Sequence, residues 1–183
     1  QREYVWTRDQ AKKLISSLIR EYPTGSLLIW KTSDPPEIKN NAVARDKIGT
    51  TSVILDGQQR MTTLYLLTKN SIPPYYRPED IANDPRTLYF DLESADLQFY
   101  QALLMRNNPT WVPVTSCFDG TEIDVFKIAQ AKAKEEGQAF TLANKYNTYL
   151  NRLRGIVERD YPVQTVPPNA DIKDAIDVFD LVN

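Results

Sequence analysis

Histidine is absent from all 183 residues, and cysteine occurs once, at Cys117. Without histidine the chain cannot build Ser-His-Asp or Cys-His machinery, or a histidine-bound metal, from its own side chains. A lone cysteine makes no internal disulfide and fits a reducing, cytoplasmic setting. No base lies near Cys117 in the sequence, so it reads as a small buried hydrophobe rather than a nucleophile. Long apolar runs are missing too: none approaches the ~20 residues of a membrane-spanning helix. No apolar stretch follows Gln1-Arg2-Glu3-Tyr4, as a secretion signal requires. Basic surplus is also lacking, with a net charge of −2 and a pI near 5.3. Non-specific DNA binding draws on dense Lys/Arg that displaces phosphate counterions, which counts against DNA binding by this segment alone. What remains for chemistry is carboxylate, amide, Arg, Lys, Tyr, backbone N–H or a metal ion.

The hydrophobic share of 42% and charged share of 25% are those of an ordinary globular domain, and the length suits one domain. Thr7-Arg8-Asp9-Gln10 forms a capping box. Ala11, Leu14, Ile15, Leu18 and Ile19 then repeat with the spacing of an amphipathic helix, which Pro23 and Gly25 end. The run 26–30 reads as a buried strand and residues 31–50 as a long polar loop. The run 51–55 is a second, β-branched strand. Asp56-Gly57 breaks it, and a helix follows with Met61, Leu64, Tyr65 and Thr68 on one face. A third strand is expected over 87–92, and a helix capped by Ser94 with Leu97, Tyr100, Leu103 and Leu104. Trp111-Val112-Pro113-Val114 reads as extended, 119–136 and 140–157 as helices, 161–166 as a returning strand, and Asp171 as the cap of a last helix. The order implies an α+β fold with a helical subregion over about 94–160.

The informative run is Ile54-Leu55-Asp56-Gly57-Gln58-Gln59-Arg60-Met61-Thr62-Thr63-Leu64. It passes from apolar strand through a tight turn into a helix. Gly57 permits a positive φ and a close ligand approach. The first turn of a helix carries unpaired N–H groups and positive partial charge, which attract phosphate. Arg60 adds a planar fork suited to two phosphate oxygens, and Thr62 and Thr63 add hydroxyls. Asp56 would repel phosphate, so it suits Mg²⁺ or a water. Gln58 or Gln59 could orient that water, as amides do in some nucleotide hydrolases. A structural explanation stands beside this one: Asp-Gly is a common turn, Asp56 a cap, Arg60 a solubilising residue and the glutamines helix formers. Similar alternatives hold elsewhere. Tyr4, Trp6 and Trp30 could stack a base but read better as core. Arg2, Arg8, Lys12 and Lys13 read as an exposed face rather than a basic patch, and the charges from Lys132 to Glu136 as a solvated helix face.

Several segments together resemble the GmrSD-type restriction family, specifically its N-terminal domain in the ParB/sulfiredoxin-like superfamily. They are Gln1-Arg2-x-Tyr4-Val5-Trp6, Tyr22-Pro23-Thr24-Gly25-Ser26-Leu27, the Asp56-Gly57-Gln58-Gln59-Arg60 run, Trp111-Val112-Pro113, and 175–183. The Asp-Gly-Gln-Gln-Arg run is the most specific of them. The resemblance implies a small mixed sheet with helices, nucleotide binding and, in several relatives, hydrolysis, within a bacterial DNA-restriction or defence protein. It implies that Gly57, Gln58, Gln59 and Arg60 form a phosphate-binding turn with Asp56 beside it; from the residues themselves, Met61, Thr62 and Thr63 are expected to extend that phosphate site. Gly25 and Ser26 carry over from a Pro-x-Gly-Ser loop, and Gln1 and Arg2 from the first motif. It also implies an excised domain lacking a strand before Gln1, and a C-terminal effector, often an HNH-type nuclease, beyond the chain. Sulfiredoxins carry a cysteine where this turn has glutamine, so sulfinic-acid reductase chemistry is not supported.

The expected activity is therefore binding, with Mg²⁺-dependent hydrolysis, of a nucleoside triphosphate. Asp56, Gln58, Gln59 and Arg60 would act at the reacting centre. DNA would be a partner only of the full-length protein, and self-association into a homo-oligomer stays open. The rivals are a non-catalytic nucleotide sensor, a ParB-like phosphodiesterase acting on DNA, and an interaction module whose turn is only a cap.

Overall fold

The computed structural model describes residues 3–35, 49–135 and 137–182. Two three-stranded sheets and six α-helices are seen among them, an α+β fold as expected. Gln1, Arg2 and most of the expected 31–50 loop lie outside the described residues.

Helix α1 (Arg8–Ile19) begins at the Thr7 capping box, with both reciprocal hydrogen bonds formed, and buries Ala11, Leu14, Ile15 and Leu18. Strand β1 (Leu27–Thr32) alternates so that Leu28, Trp30 and Thr32 are buried. It is the middle strand of the first sheet. β2 (Thr51–Asp56) pairs with it antiparallel, and β6 (Val163–Val166) pairs parallel on its other side. α6 (Ile172–Val182) packs Ala175 with Leu28, Trp30 and Val166. Trp30 is therefore core, and so is Tyr4.

α2 (Gln58–Lys69) leaves β2 directly through Gly57. Its buried positions are Thr62, Thr63, Leu66 and Leu67. Met61, Leu64, Tyr65 and Thr68, the face expected to pack, are only partly buried flanks. The reason is that α2 is enclosed on more than one side, so no single stripe marks its core face. Two buried threonines are tolerated partly because the Thr63 hydroxyl donates to the Gln59 carbonyl at 2.8 Å.

The second sheet is β3 (Leu88–Asp91) between β4 (Leu97–Phe99) and β5 (Trp111–Pro113), all antiparallel. β4 corrects the expected Ser94-capped helix. Ser94 instead donates its hydroxyl to Asp91 within the turn joining β3 to β4, and only α3 (Ala102–Met105) is helical there. Local apolar spacing lost to pairing with β3, a contact that spacing cannot register. α4 (Val125–Lys132) is shorter than expected, starting where Asp124 caps the Lys127 N–H. α5 (Gln138–Arg154) supplies Tyr146, Leu150 and Leu153 to the main core with α1 and β3. No helix among the described residues is long and apolar enough to cross a membrane.

Candidate functional site

Asp56 ends β2, Gly57 turns the chain at φ 93°, and α2 starts at once. Alanine at Gly57 would place its Cβ against Leu27 Cδ2 and 3.1 Å from Arg60 Nη2, so glycine is required by space as well as by φ. The first closed helical bond runs from the Met61 N–H to the Gly57 carbonyl at 3.0 Å. α2 has no side-chain cap and no acidic residue in its first turn. Its leading N–H groups keep the positive end of the helix, and the carboxylate just before it, Asp56, is paired with Arg60.

Successive residues on a helix project about 100° apart, so Gln58, Gln59 and Arg60 reach three different parts of the chain. Arg60 turns toward the Pro-x-Gly-Ser loop. Its Nη1 donates to the Thr24 carbonyl at 2.6 Å, and its Nη2 to the Ser26 carbonyl at 2.7 Å and to Asp56 Oδ2 at 3.0 Å. Its side chain is 12% exposed, against 36% for Asp56. Gly25, at φ 87°, lets the guanidinium lie on the loop, since a Cβ there would stand 2.6 Å from Nη1. Gly25 and Ser26 do come to the turn, Ser26 offering its carbonyl to Arg60.

Gln59 holds the N-terminal segment. Its Oε1 accepts from the Val5 and Trp6 N–H groups at 2.9 and 3.2 Å, while Nε2 donates to the Glu3 carbonyl at 2.8 Å. The amide imitates a strand partner for a segment that also meets Ile81 in a parallel bridge. Tyr4 within it bonds the Thr63 hydroxyl at 2.9 Å, which places Thr63 in the fastening rather than at an open surface. Gln58 turns to the third segment, where Nε2 donates to the Tyr76 hydroxyl at 3.2 Å. Thr62, fully buried one turn along, stands near enough to Tyr75 and Tyr76 to lower their pKa values. It nevertheless makes no hydrogen bond of good geometry. Burial is the larger effect on both tyrosines and raises them above the usual phenol range. Met61 is half-buried beside this turn.

The sequence motif therefore fastens three segments to one helical turn. Tyr4 and Tyr76 belong to this arrangement and were not legible as partners of the motif. The signal available was three adjacent polar side chains at the start of a helix, which must diverge. For Mg²⁺ the fit is partial. Asp56 is one accessible carboxylate, yet one of its oxygens is held by Arg60. Among the described residues no group of three or more His, Cys, Asp or Glu is placed to share an ion. Mg²⁺ commonly takes one or two carboxylates plus substrate phosphates, so an ion here would arrive with its ligand. A concave surface lies elsewhere, between α1 and the stretch from Ala95 into β4, and includes none of the motif residues.

These features define an α+β domain whose strand–glycine–helix turn carries the Asp-Gly-Gln-Gln-Arg run. The chain matches the family described as GmrSD restriction endonuclease, N-terminal domain, over residues 1–183, and it belongs to that family. It is thus the kind of domain found at the N-terminus of restriction proteins. It is also 31% identical over 131 residues to the uncharacterized protein MJ0686 of Methanocaldococcus jannaschii. That match covers 59% of this chain and 22% of the relative, so the chain spans a small part of that relative's length.

Proposed function

We propose that this chain binds, and hydrolyses, a nucleoside triphosphate as the N-terminal domain of a DNA-restriction protein. The observation that carries this is the start of α2: an uncapped first turn, entered through a left-handed glycine, with Asp56 charge-paired to Arg60. Such a turn suits a phosphate. The N–H groups of Gln58, Gln59 and Arg60 would meet phosphate oxygens, and Gln58 would orient water. Arg60 would act chiefly by holding the Thr24–Ser26 loop and setting the local charge. Mg²⁺, when bound with the triphosphate, would neutralise phosphate charge, and Asp56 could supply one of its ligands. The effector, an HNH-type nuclease in the resembling proteins, and the DNA contacts would belong to the longer protein.

One observation favours a second reading, a nucleotide sensor without turnover. Gln59 and Arg60 are both occupied in holding chain segments, and Gln58 donates its amide to Tyr76. Calorimetric titration with ATP, GTP, CTP and UTP in Mg²⁺ separates these readings when paired with phosphate release. Gln58→Glu is the informative variant. Its carboxylate suits the positive helix end, so the fold keeps its stability, but it repels phosphate. Binding weakened at least about tenfold by Gln58→Glu supports the site. Binding unchanged by Gln58→Glu, or no binding of any of the four by the folded chain, refutes it. Binding without phosphate release selects the sensor.

A further inference from the structure

Tyr76 lies 18 positions from Gln58 in the chain, yet its hydroxyl accepts the Gln58 amide at 3.2 Å. The ring is held firmly. Tyr76 is 7% exposed, packs in a cluster with Tyr4, Leu66 and Ile81, and donates its own N–H to the Pro73 carbonyl at 2.9 Å. Tyr75 supports it, with ring centroids 5.1 Å apart.

α2 shows that this side of the helix is arranged for the tyrosine. Thr63 and Thr68 return their hydroxyls to backbone carbonyls four residues back, at 2.8 and 2.7 Å. Thr62 does not. Its buried hydroxyl makes no hydrogen bond of good geometry, though Thr62 is close enough to Tyr75 and Tyr76 to lower their pKa values. Gln58, Thr62 and Tyr76 therefore form one polar strip beneath the first turn of α2. The contacts of Gln59 and Arg60 bind whole segments through backbone groups. The Gln58–Tyr76 contact instead joins two side chains, so it acts on the direction of an amide.

We infer that Tyr76 is a positioning residue for Gln58: its buried hydroxyl holds the Gln58 amide in one orientation beside the phosphate-binding turn, so that the amide meets the attacking water correctly aligned. The inference rests on the nucleotide reading above. A glutamine in the first turn of a helix otherwise samples several rotamers, and aligning it would cost entropy at each turnover. A bond formed on folding removes that cost before substrate arrives.

Tyr76→Phe tests this, since it keeps the ring and removes one oxygen. Phosphate release by the full chain is measured with Mg²⁺ and the triphosphate it binds best. The expected result is a kcat about tenfold lower, KM within about twofold, and a double variant with Gln58→Ala no slower than Gln58→Ala alone. A purely structural role would not produce that split. In ¹⁵N spectra the Gln58 side-chain amide signals, assigned by their loss in Gln58→Ala, should move in Tyr76→Phe. A parental kcat in Tyr76→Phe overturns the inference while leaving the nucleotide reading intact. Losses that add to those of Gln58→Ala overturn it too. A parent chain that binds no triphosphate refutes the nucleotide reading and the inference with it.

Discussion

Replacing Arg60 should unfold this domain more readily, although surface arginines are usually dispensable. Its guanidinium donates to two backbone carbonyls at 2.6 and 2.7 Å and to Asp56 at 3.0 Å, from a side chain only 12% exposed. Hydrogen bonds from a charged donor contribute about 1.5–3 kcal/mol each. The Asp56 contact adds less than about 1 kcal/mol, because Asp56 is a third exposed and water screens it. Water can replace part of the loss at the exposed Gly25 loop, so the lower end applies. Arg60→Ala should then cost about 3 kcal/mol. In a chain of this size each kcal/mol lowers Tm by about 2–4 °C, which gives a fall of about 6–12 °C. Arg60→Lys keeps the charge but offers a point donor in place of a fork, and should lose about half as much. Thermal melts by circular dichroism measure both. A melting point for Arg60→Ala within about 2 °C of the parent, or above it, would refute the fastening role. Arg60→Ala is accordingly a poor reporter of ligand binding, because loosening the loop alone could abolish it. Gln58 is the better position.

Other substitutions test the remaining contacts. Gly57→Ala and Gly120→Ala impose similar φ strain, at 93° and 87°, but only Gly57 has heavy atoms in the way. Urea unfolding should show about 1 kcal/mol lost at Gly120 and about 2 kcal/mol more at Gly57; equal losses would remove the packing argument. Gln59→Ala should speed amide exchange at Val5 and Trp6 about tenfold, leaving α5 protected, whereas unchanged protection would show that Gln59 does not hold the segment. Burial pushes the Cys117 thiol up from 9.0 to about 12. Between those values the unfolded thiol binds fewer protons than the folded one, so the contribution of Cys117 to stability should be level below pH 9 and fall as pH rises toward 12. Cys117 should also resist a thiol reagent at pH 8 until urea is added, and prompt labelling of the folded chain would contradict its burial.

Much of the fold is written in local sequence. The Thr7 capping box and the apolar spacing after it mark α1, because both signals are local. β1, β2 and the turn into α2 were likewise readable from an apolar run, a β-branched run and Asp56-Gly57. Where long-range contact decides, local reading failed. Leu97 and Phe99 became a strand because β3 offered an edge, and Ser94 was drawn to Asp91 instead of capping a helix. The buried side of α2 carries Thr62 and Thr63, which no hydrophobic count would have chosen.

Composition and local pattern are enough to show that the chain has no histidine chemistry, that Gly57 opens α2, and that Asp56 to Arg60 is the distinctive run. What each of those side chains touches depends on the packed fold. Gln58 meets Tyr76, Gln59 meets Glu3, Val5 and Trp6, and Arg60 meets Thr24 and Ser26. Helical geometry makes adjacent residues diverge, but their partners lie far away in the chain. Which segment waits at each angle is settled by how the whole chain packs.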